Sequence, residues 1–574
     1  MILSDAAKCA QWAQVGYYGG LTLDGALSAI AVHRPDQVIF SAWSGTSEKS
    51  FRLTAAGLDH RVSAVASMLL DTGLKQDDPV LVQIAPRAHS LIFLLACSRA
   101  GLISVPIPGI SGRRNLRRLM ERTAAKAGLI DLSTYGVSTP KAMIEATAEV
   151  FDMRFLFSVG GQAPDGILPI DRMLAGKIGP VEGAKPVPRA ERPADHVAMV
   201  WPQADEPEAP LLARSHNELM AAGLSVALAT GLSSEDVLTS PLLPQRLSGL
   251  STTLFAWLVT GAALKIVPPQ DWAGLQKAVR APHKGRQIVC LPGKLACVAA
   301  PVLPAGTDIL RVWGDPLAIE GTNAERNDAM VGPARIVADA VNIAECGLAV
   351  SSAILESKSG GYGDTAPRPG AIPLAGLKRD EDQALPPFLE GRLTGGVEKA
   401  GDMPEREGLV RGQALVAGPT TPNAPWVDCD LATLEGDAPA SPFEREFMRT
   451  GLRGQLTDGA RGPELRIIGT TESVRRAGVR TYAMRELDRI FASMPGIQDA
   501  AAFEIPGGPL GQRIGAAIVP AASAPTLEAL RRAIVDHGHS PHLLPEKLVI
   551  LQTIPRAQDG GVHRDALVVD RLAV

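Results

Sequence analysis

The chain carries almost no net charge: 57 Lys and Arg against 61 Asp and Glu leave a formal −4 over 574 residues. That balance excludes a nucleic-acid binder working by bulk electrostatics. Cysteine is scarce too. The six residues Cys9, Cys97, Cys290, Cys297, Cys346 and Cys429 form no Cys-x-x-Cys pair and have no histidine at zinc spacing. The sparse cysteines argue against a disulfide framework and against a metal site, and they read as reduced, buried thiols of a cytoplasmic protein. No apolar run reaches the roughly 20 residues that span a bilayer. The most apolar stretch, 249–264, is broken by Ser, Thr and Gly and reads as a buried helix running into a strand. Charge at Asp5 and Lys8 interrupts the N-terminus before any apolar run, so an export signal is not expected. Internal repeats and low-complexity tracts are also missing.

What is present is core-forming material. Hydrophobic residues make up 46% and charged residues 21%, and the length suggests three or four structural units. The 57 Gly and 45 Pro exceed their usual combined share of roughly 12%, so turns are frequent. Helix and strand patterns alternate over 21–150 and again over 197–355, which predicts an α/β body with two parallel or mixed sheets covered by helices. The Gly/Pro-rich tract from Lys358 to about Pro439 predicts short antiparallel strands. Beyond it, helices at 484–494 and 526–537 and strands at 500–504, 514–519 and 547–551 predict a small α+β unit. The expected division is a large N-terminal domain, 1–455, and a small C-terminal domain, 456–574, joined near Glu472.

Several short patterns then fall in a telling order: Gly73-Leu-Lys-Gln-Asp-Asp-Pro-Val80, Ala100-Gly-Leu-Ile-Ser-Val-Pro-Ile-Pro108, Ser215-His-Asn-Glu-Leu219, Asn342-Ile-Ala-Glu-Cys346, Arg449-Thr-Gly451 and Ile554-Pro-Arg556. Together they resemble the acyl-adenylate-forming superfamily of acyl-CoA synthetases, peptide-synthetase adenylation domains and luciferases. The Asn342–Cys346 stretch looks most like the fatty acyl-AMP ligase form of the family's glutamate motif. The resemblance implies a mobile C-terminal domain.

Adenylation concentrates negative charge, so its site needs cations and free backbone N–H groups. The family supplies them with a Ser/Thr/Gly loop just before the Ser-His pair. Here the aligned residues are Pro202, Gln203, Ala204, Asp205, Glu206, Pro207, Glu208, Ala209 and Pro210. The prolines lack N–H groups and the missing glycines remove backbone freedom. Three carboxylates stand where polyphosphate would lie, at a cost on the order of 1–4 kcal/mol per like-charge contact. The resemblance places Leu452 where the family's ribose-binding aspartate stands, Thr470 in place of an arginine, and Gly561 in place of the lysine that serves the adenylation step. His563 reads as a solvated side chain rather than a substitute. Glu345 is the one retained candidate, matching the glutamate that binds ATP-associated magnesium, with capping of local backbone groups as its other reading. The family's His motif appears as Pro244-Gln-Arg-Leu-Ser-Gly249 without the His.

These departures imply a catalytically degenerate homologue of fatty acyl-AMP ligases and acyl-CoA synthetases, with no cofactor and no metal. The expected role is an acyl-binding or partner subunit in acyl, lipid or secondary-metabolite biosynthesis, its partners an acyl chain, an acyl-carrier protein or a partner enzyme. Gly249, Asn342, Ile343 and Ala344 are the candidate acyl-site residues, on stretches that read equally as pocket wall and as sheet core. The alternative is an active ATP-dependent carboxylate ligase with a rebuilt site, using Arg475, Arg476 and Arg480. A third class, acting on an activated acyl group without ATP, would need a nucleophile, and none of the cysteines has a context that marks it as reactive.

Overall fold

The computed structural model describes the chain except for residues 44–50, 85–86, 108–110, 133–137, 172–186, 188, 190, 204–208, 243–245, 270, 315, 317–333, 353–371, 374–387, 395–410, 423–425, 427–442, 445–446, 460–461, 471–473, 478–479, 507–511, 557–561, 563 and 568–574. Helices and strands of the described residues follow the alternation read from the sequence. Leu23–His33, Ala55–Asp71 and Ala88–Arg99 are helices; Val38–Ala42, Pro79–Gln83 and Ile103–Ile107 are strands. The uncharged stretch forms the helical run Leu247–Thr260, with one widened turn at Ser251–Phe255, and then the strand Ala263–Ile266. No helix among the described residues is long and apolar enough to cross a membrane.

A seven-stranded sheet runs in the order Leu168–Pro169, Phe155–Val159, Ala127–Asp131, Pro79–Gln83, Ile103–Ile107, Val197–Pro202 and Leu211–Ser215. Its pairs are parallel except the last, an antiparallel hairpin. An eight-stranded sheet has Gly347–Ser352, Arg335–Ile343, Thr307–Trp313, Gln287–Pro292, Val237–Ser240, Ala263–Ile266, Val38–Ala42 and Phe51–Thr54 side by side. Only its two outer pairs are antiparallel. The interior strands Gln287–Pro292 and Thr307–Trp313 are buried along nearly their whole length, as strands of a sheet covered on both faces are. One apolar cluster takes residues from both sheets and from the helices between them, Leu27, Phe93, Leu129, Leu254 and Leu310 among them. The two sheets therefore share a core.

The Gly/Pro-rich tract supplies an antiparallel sheet of Ile372–Pro373, Gly462–Thr470, Phe447–Gly459, Arg411–Ala417 and Glu390–Thr394. Residue 455 lies inside the strand Phe447–Gly459, so this sheet runs past the expected division and ends at Thr470. Glu472 lies outside the described residues. The C-terminal unit has the helix Met484–Ala492, the strands Ile497–Pro506, Gln512–Pro520 and Lys547–Ile550, and the helix Leu527–Asp536. It owns a separate apolar core built on Leu487, Phe491, Ala502, Ile518 and Ile534. The architecture is thus a large N-terminal body of two α/β sheets and a β-rich subdomain, with a small α+β C-terminal domain.

Candidate functional site

Three sheets converge on Glu345. The strand Arg335–Ile343 turns into Gly347–Ser352 through Ala344 and Glu345, both with left-handed backbone (φ 49° and 57°). Neither is Gly or Asn, so each position costs about 1 kcal/mol. Local bonds hold the turn: Cys346 N–H donates to the Ile343 carbonyl at 2.8 Å, and Glu345 N–H donates to Asn342 Oδ1 at 3.2 Å.

The Glu345 carboxylate is 1% exposed and engaged by three donors of this chain. It accepts from Asn342 Nδ2 at 2.6 Å, from the Leu247 backbone N–H at 2.9 Å and from Arg246 Nη1 at 3.2 Å. A carboxylate offers about four acceptor positions, and three are taken. The Leu247 bond satisfies the first N–H of the helical run and sets a negative charge at its positive end. This is the capping role the sequence offered as the other reading of Glu345.

Arg214 closes the junction from the first sheet. It sits in the strand Leu211–Ser215, is fully buried, and donates through Nη1 to the Thr420 carbonyl and through Nη2 to the Glu345 carbonyl. Its guanidinium carbon lies 5.6 Å from the Trp201 ring centroid. Burial pulls its pKa down from the usual arginine value, and the neighbouring Glu218, Cys346 and Glu345 pull it back up. Immediately after it, Ser215 caps the helix His216–Thr230 in a reciprocal box: Glu218 N–H donates to Ser215 Oγ at 3.3 Å and Ser215 N–H to Glu218 Oε2 at 2.8 Å.

The proline-rich stretch joins Val197–Pro202 to Leu211–Ser215 as a hairpin. Gln203 N–H donates to the Pro210 carbonyl at 2.8 Å, and Gln203 Nε2 donates to Cys346 Sγ and to the Arg449 carbonyl, both at 3.1 Å. Arg122 Nη1 holds the Ala209 carbonyl at 2.9 Å from outside. Pro202 is half-buried and Pro210 exposed; Ala204, Asp205, Glu206, Pro207 and Glu208 lie outside the described residues. Burial pushes the Cys346 thiol up to about 12, so it is not a poised nucleophile.

Leu452 is 7% exposed and belongs to an apolar cluster with Leu212, Ile343, Cys346, Ala414 and Leu465. It follows a bulge in which Thr450 Oγ1 both donates to the Ala414 carbonyl at 2.7 Å and accepts from Leu452 N–H at 3.1 Å. Gly451 makes the bulge with φ 70°, a conformation that favours glycine. Thr470 pairs opposite Leu452 on the neighbouring strand. Gly561 and His563 lie outside the described residues, and Arg475, Arg476 and Arg480 fall on the hairpin of Val474–Ala477 and Arg480–Ala483.

Asn342 and Ile343 end their strand beside Glu345, and Gly249 lies buried in the helical run. Asn342, Ile343 and Ala344 thus lie at one turn, while the Gly249 carbonyl accepts within its own helix from Thr253 Oγ1 at 2.5 Å. Ser248–Phe255 is buried throughout, with Leu250, Leu254 and Phe255 in the shared core, while Val341, Ile343 and Cys346 belong to the core under the β-rich sheet. A cavity of about 420 Å³ opens elsewhere, between Tyr17, Ile30, Leu224 and Leu258.

Residues 27–200 match the model of the AMP-binding enzyme family. Over 98% of its length, and 93% of the relative's, the chain is 25% identical to the salicyl-AMP ligase / salicyl-S-ArCP synthetase of Mycobacterium tuberculosis. The family match and the full-length relative together support the acyl-adenylate-forming, or AMP-binding, superfamily. A shorter match, 35% over 103 residues, covers 17% of this chain and 19% of the fatty acid–[acyl-carrier-protein] ligase MmaC of Mycobacterium marinum. Its fold is that of the Mycobacterium smegmatis MbtA apo structure (TM-score 0.60, 19% identity, 99% of this chain and 98% of that one). It is likewise that of the amide bond synthetase McbA of Marinactinospora thermotolerans (TM-score 0.68, 16% identity, 95% and 99%). The superfamily's relatives in sequence are adenylating ligases by name.

Sequence reasoning missed Arg214 and left Arg246 unassigned. The signal for Arg214 was an arginine set directly before the Ser-His pair in the otherwise apolar strand Leu211–Ser215, a position that demands a dedicated set of acceptors. Arg246 gave no local signal, since its partner is 99 residues away.

Proposed function

We propose that this superfamily member no longer adenylates and serves as an acyl-binding or partner subunit in acyl, lipid or secondary-metabolite biosynthesis. The observation that carries the reading is the internal neutralisation of Glu345. A carboxylate meant for magnesium must offer its lone pairs to the ion; Glu345 gives them to Asn342, Leu247 N–H and Arg246. Two further features support it. Leu452 presents an apolar side chain within an apolar cluster where a ribose would need an acceptor, and the Pro202–Pro210 stretch replaces a phosphate loop with prolines and carboxylates. Magnesium and ATP do not fit these residues, and no catalytic step is routed through them.

The names of the relatives make aryl and fatty acids and acyl-carrier proteins the ligand classes to try. Calorimetric titration with ATP and magnesium is the direct test. No heat of binding, and pyrophosphate exchange at background with salicylate, benzoates and fatty acids, is the expected outcome. Micromolar ATP affinity overturns the reading in favour of a ligase with a rebuilt site. The binding role is tested apart from that, by thermal shift and native mass spectrometry with fatty acids, acyl-CoA and acyl-carrier protein.

A further inference from the structure

The C-terminal domain touches the N-terminal body end to end through two helices. The helix Leu527–Asp536 closes at Gly538 (φ 79°): Gly538 N–H donates to the Val535 carbonyl at 2.8 Å and His539 N–H to the Ile534 carbonyl at 3.1 Å. The turn aims the Gly538 carbonyl at the helix Arg113–Thr123, whose Arg114 N–H donates to it at 3.0 Å. The negative end of one helix thus meets the positive end of the other, and an N–H that would otherwise need a cap is satisfied across the domains. Gly112 caps the Arg113–Thr123 helix without a side-chain bond. A Cβ there would stand 2.4 Å from Ser540 N and 2.5 Å from the His539 carbonyl carbon, so the approach admits only glycine.

His539 is sealed in this contact, 7% exposed. The exposed Arg114 of the Arg113–Thr123 helix and the exposed His537 of its own turn act on it electrostatically. Arg113, paired with Glu149 at 3.2 Å, lies against Gly538, and His542 Nδ1 is 2.6 Å from Ser540 Oγ. The charged groups that act on His539 are thus cationic. The far end of the Arg113–Thr123 helix carries Arg122, which holds the Ala209 carbonyl of the hairpin. One rigid element therefore spans from the domain contact to the candidate site.

We propose that this junction is a latch: it holds the C-terminal domain in one orientation at neutral pH and lets it go on acidification. Protonating His539 puts a cation into a sealed contact beside Arg114, so the docked form keeps it neutral. Burial first, then Arg114 and His537, lower its pKa from the usual 6.5 to about 4. The depressed value means that docking is at full strength above 6.5 and weakens as pH falls towards 4. If release returns His539 to the usual 6.5, the docking constant at pH 5.0 falls about 30-fold below its value at pH 7.5. The inference holds whether or not nucleotide binds, because it rests on a different surface.

Electron–electron distance measurements on the full chain, spin-labelled at Val298→Cys and Ile550→Cys, test it. One narrow distance at pH 7.5 that gives way to a second population at pH 5.0 is expected. Gly112→Ala is expected to populate the second distance at pH 7.5, and His539→Gln to lose most of the pH response. Circular dichroism checks that each variant is folded. A folded Gly112→Ala variant with wild-type distances, or an unchanged acid response in His539→Gln, overturns the latch. If Gly112→Ala does not fold, His539→Gln decides alone.

Discussion

Restoring the superfamily's aspartate at position 452 is the sharpest perturbation of the site. Leu452→Asp removes a side chain that is 7% exposed and packed against Leu212, Ile343, Ala414 and Leu465. Losing its burial costs about 2–3 kcal/mol. A carboxyl group left without a donor in that cluster adds about 1–3 kcal/mol even when protonated. The expected destabilisation at pH 7 is about 3–6 kcal/mol. It should also depend on pH in a set direction. Burial raises the new carboxyl's pKa above its usual 3.9, so the loss is largest above the raised value and shrinks as pH falls towards 3.9. Leu452→Asn, with the same shape and no titration, should show a loss that does not move with pH. Denaturant unfolding from pH 4.5 to 8, with hydrogen exchange over Phe447–Gly459 and Arg411–Ala417, reads both effects. A Leu452→Asp protein within about 1 kcal/mol of wild type, or one that acquires ATP affinity, refutes the reasoning: the position would then be a latent ribose site rather than core.

The Glu345 network makes a second prediction. Glu345→Gln should cost about 2–3 kcal/mol, Arg246→Met a similar amount, and the double variant at least about 1 kcal/mol less than their sum, measured as a double-mutant cycle in urea; full additivity would mean that the pair at 3.2 Å is not coupled. Arg214→Lys should destabilise by about 2–4 kcal/mol, because a single ammonium cannot reproduce the fork that serves the Thr420 and Glu345 carbonyls; an unchanged midpoint counts against its bracing role. Gly561→Lys alone should leave pyrophosphate exchange at background, since groups that act as a unit are strongly non-additive.

The α/β body was legible because its strands are short apolar runs and its helices either follow a 3.6-residue rhythm, as Leu23–His33 does, or are apolar nearly all round, as Ala88–Arg99 is. The β-rich subdomain was read from its Gly/Pro-rich tract, but where its sheet ends was not, for a local reason. Along Phe447–Gly459 the inward positions are Met448, Thr450, Leu452 and Gly454, so half of the buried alternation is carried by a threonine and a glycine. A scan for apolar alternation passes over such a strand, and the expected division at 455 fell within it. At the site, the individual substitutions were plain, but their joint consequence was not. Sequence showed that Glu345 was kept and that the stretch Pro244–Gly249 lacked the family's histidine, while only the fold sets Arg246 against Glu345 and Arg214 beneath the same turn.

On the function proposed above, that arrangement bears on how a phosphate site would be lost. A site that binds polyphosphate must hold cations and N–H groups in reserve, poorly satisfied until the ligand arrives, because that latent demand is what the ligand answers. Around Glu345 the chain has answered the demand itself. Arg246 is given to the carboxylate, Arg214 to two carbonyls and Arg122 to the Ala209 carbonyl. Gln203, where a serine of a phosphate loop would stand, bridges Cys346 and the Arg449 carbonyl. Each of these bonds lowers the free energy of the empty site and so raises what a nucleotide would have to displace. Single reversions should therefore fail even where the new residue fits, because the neighbouring groups have already found protein partners.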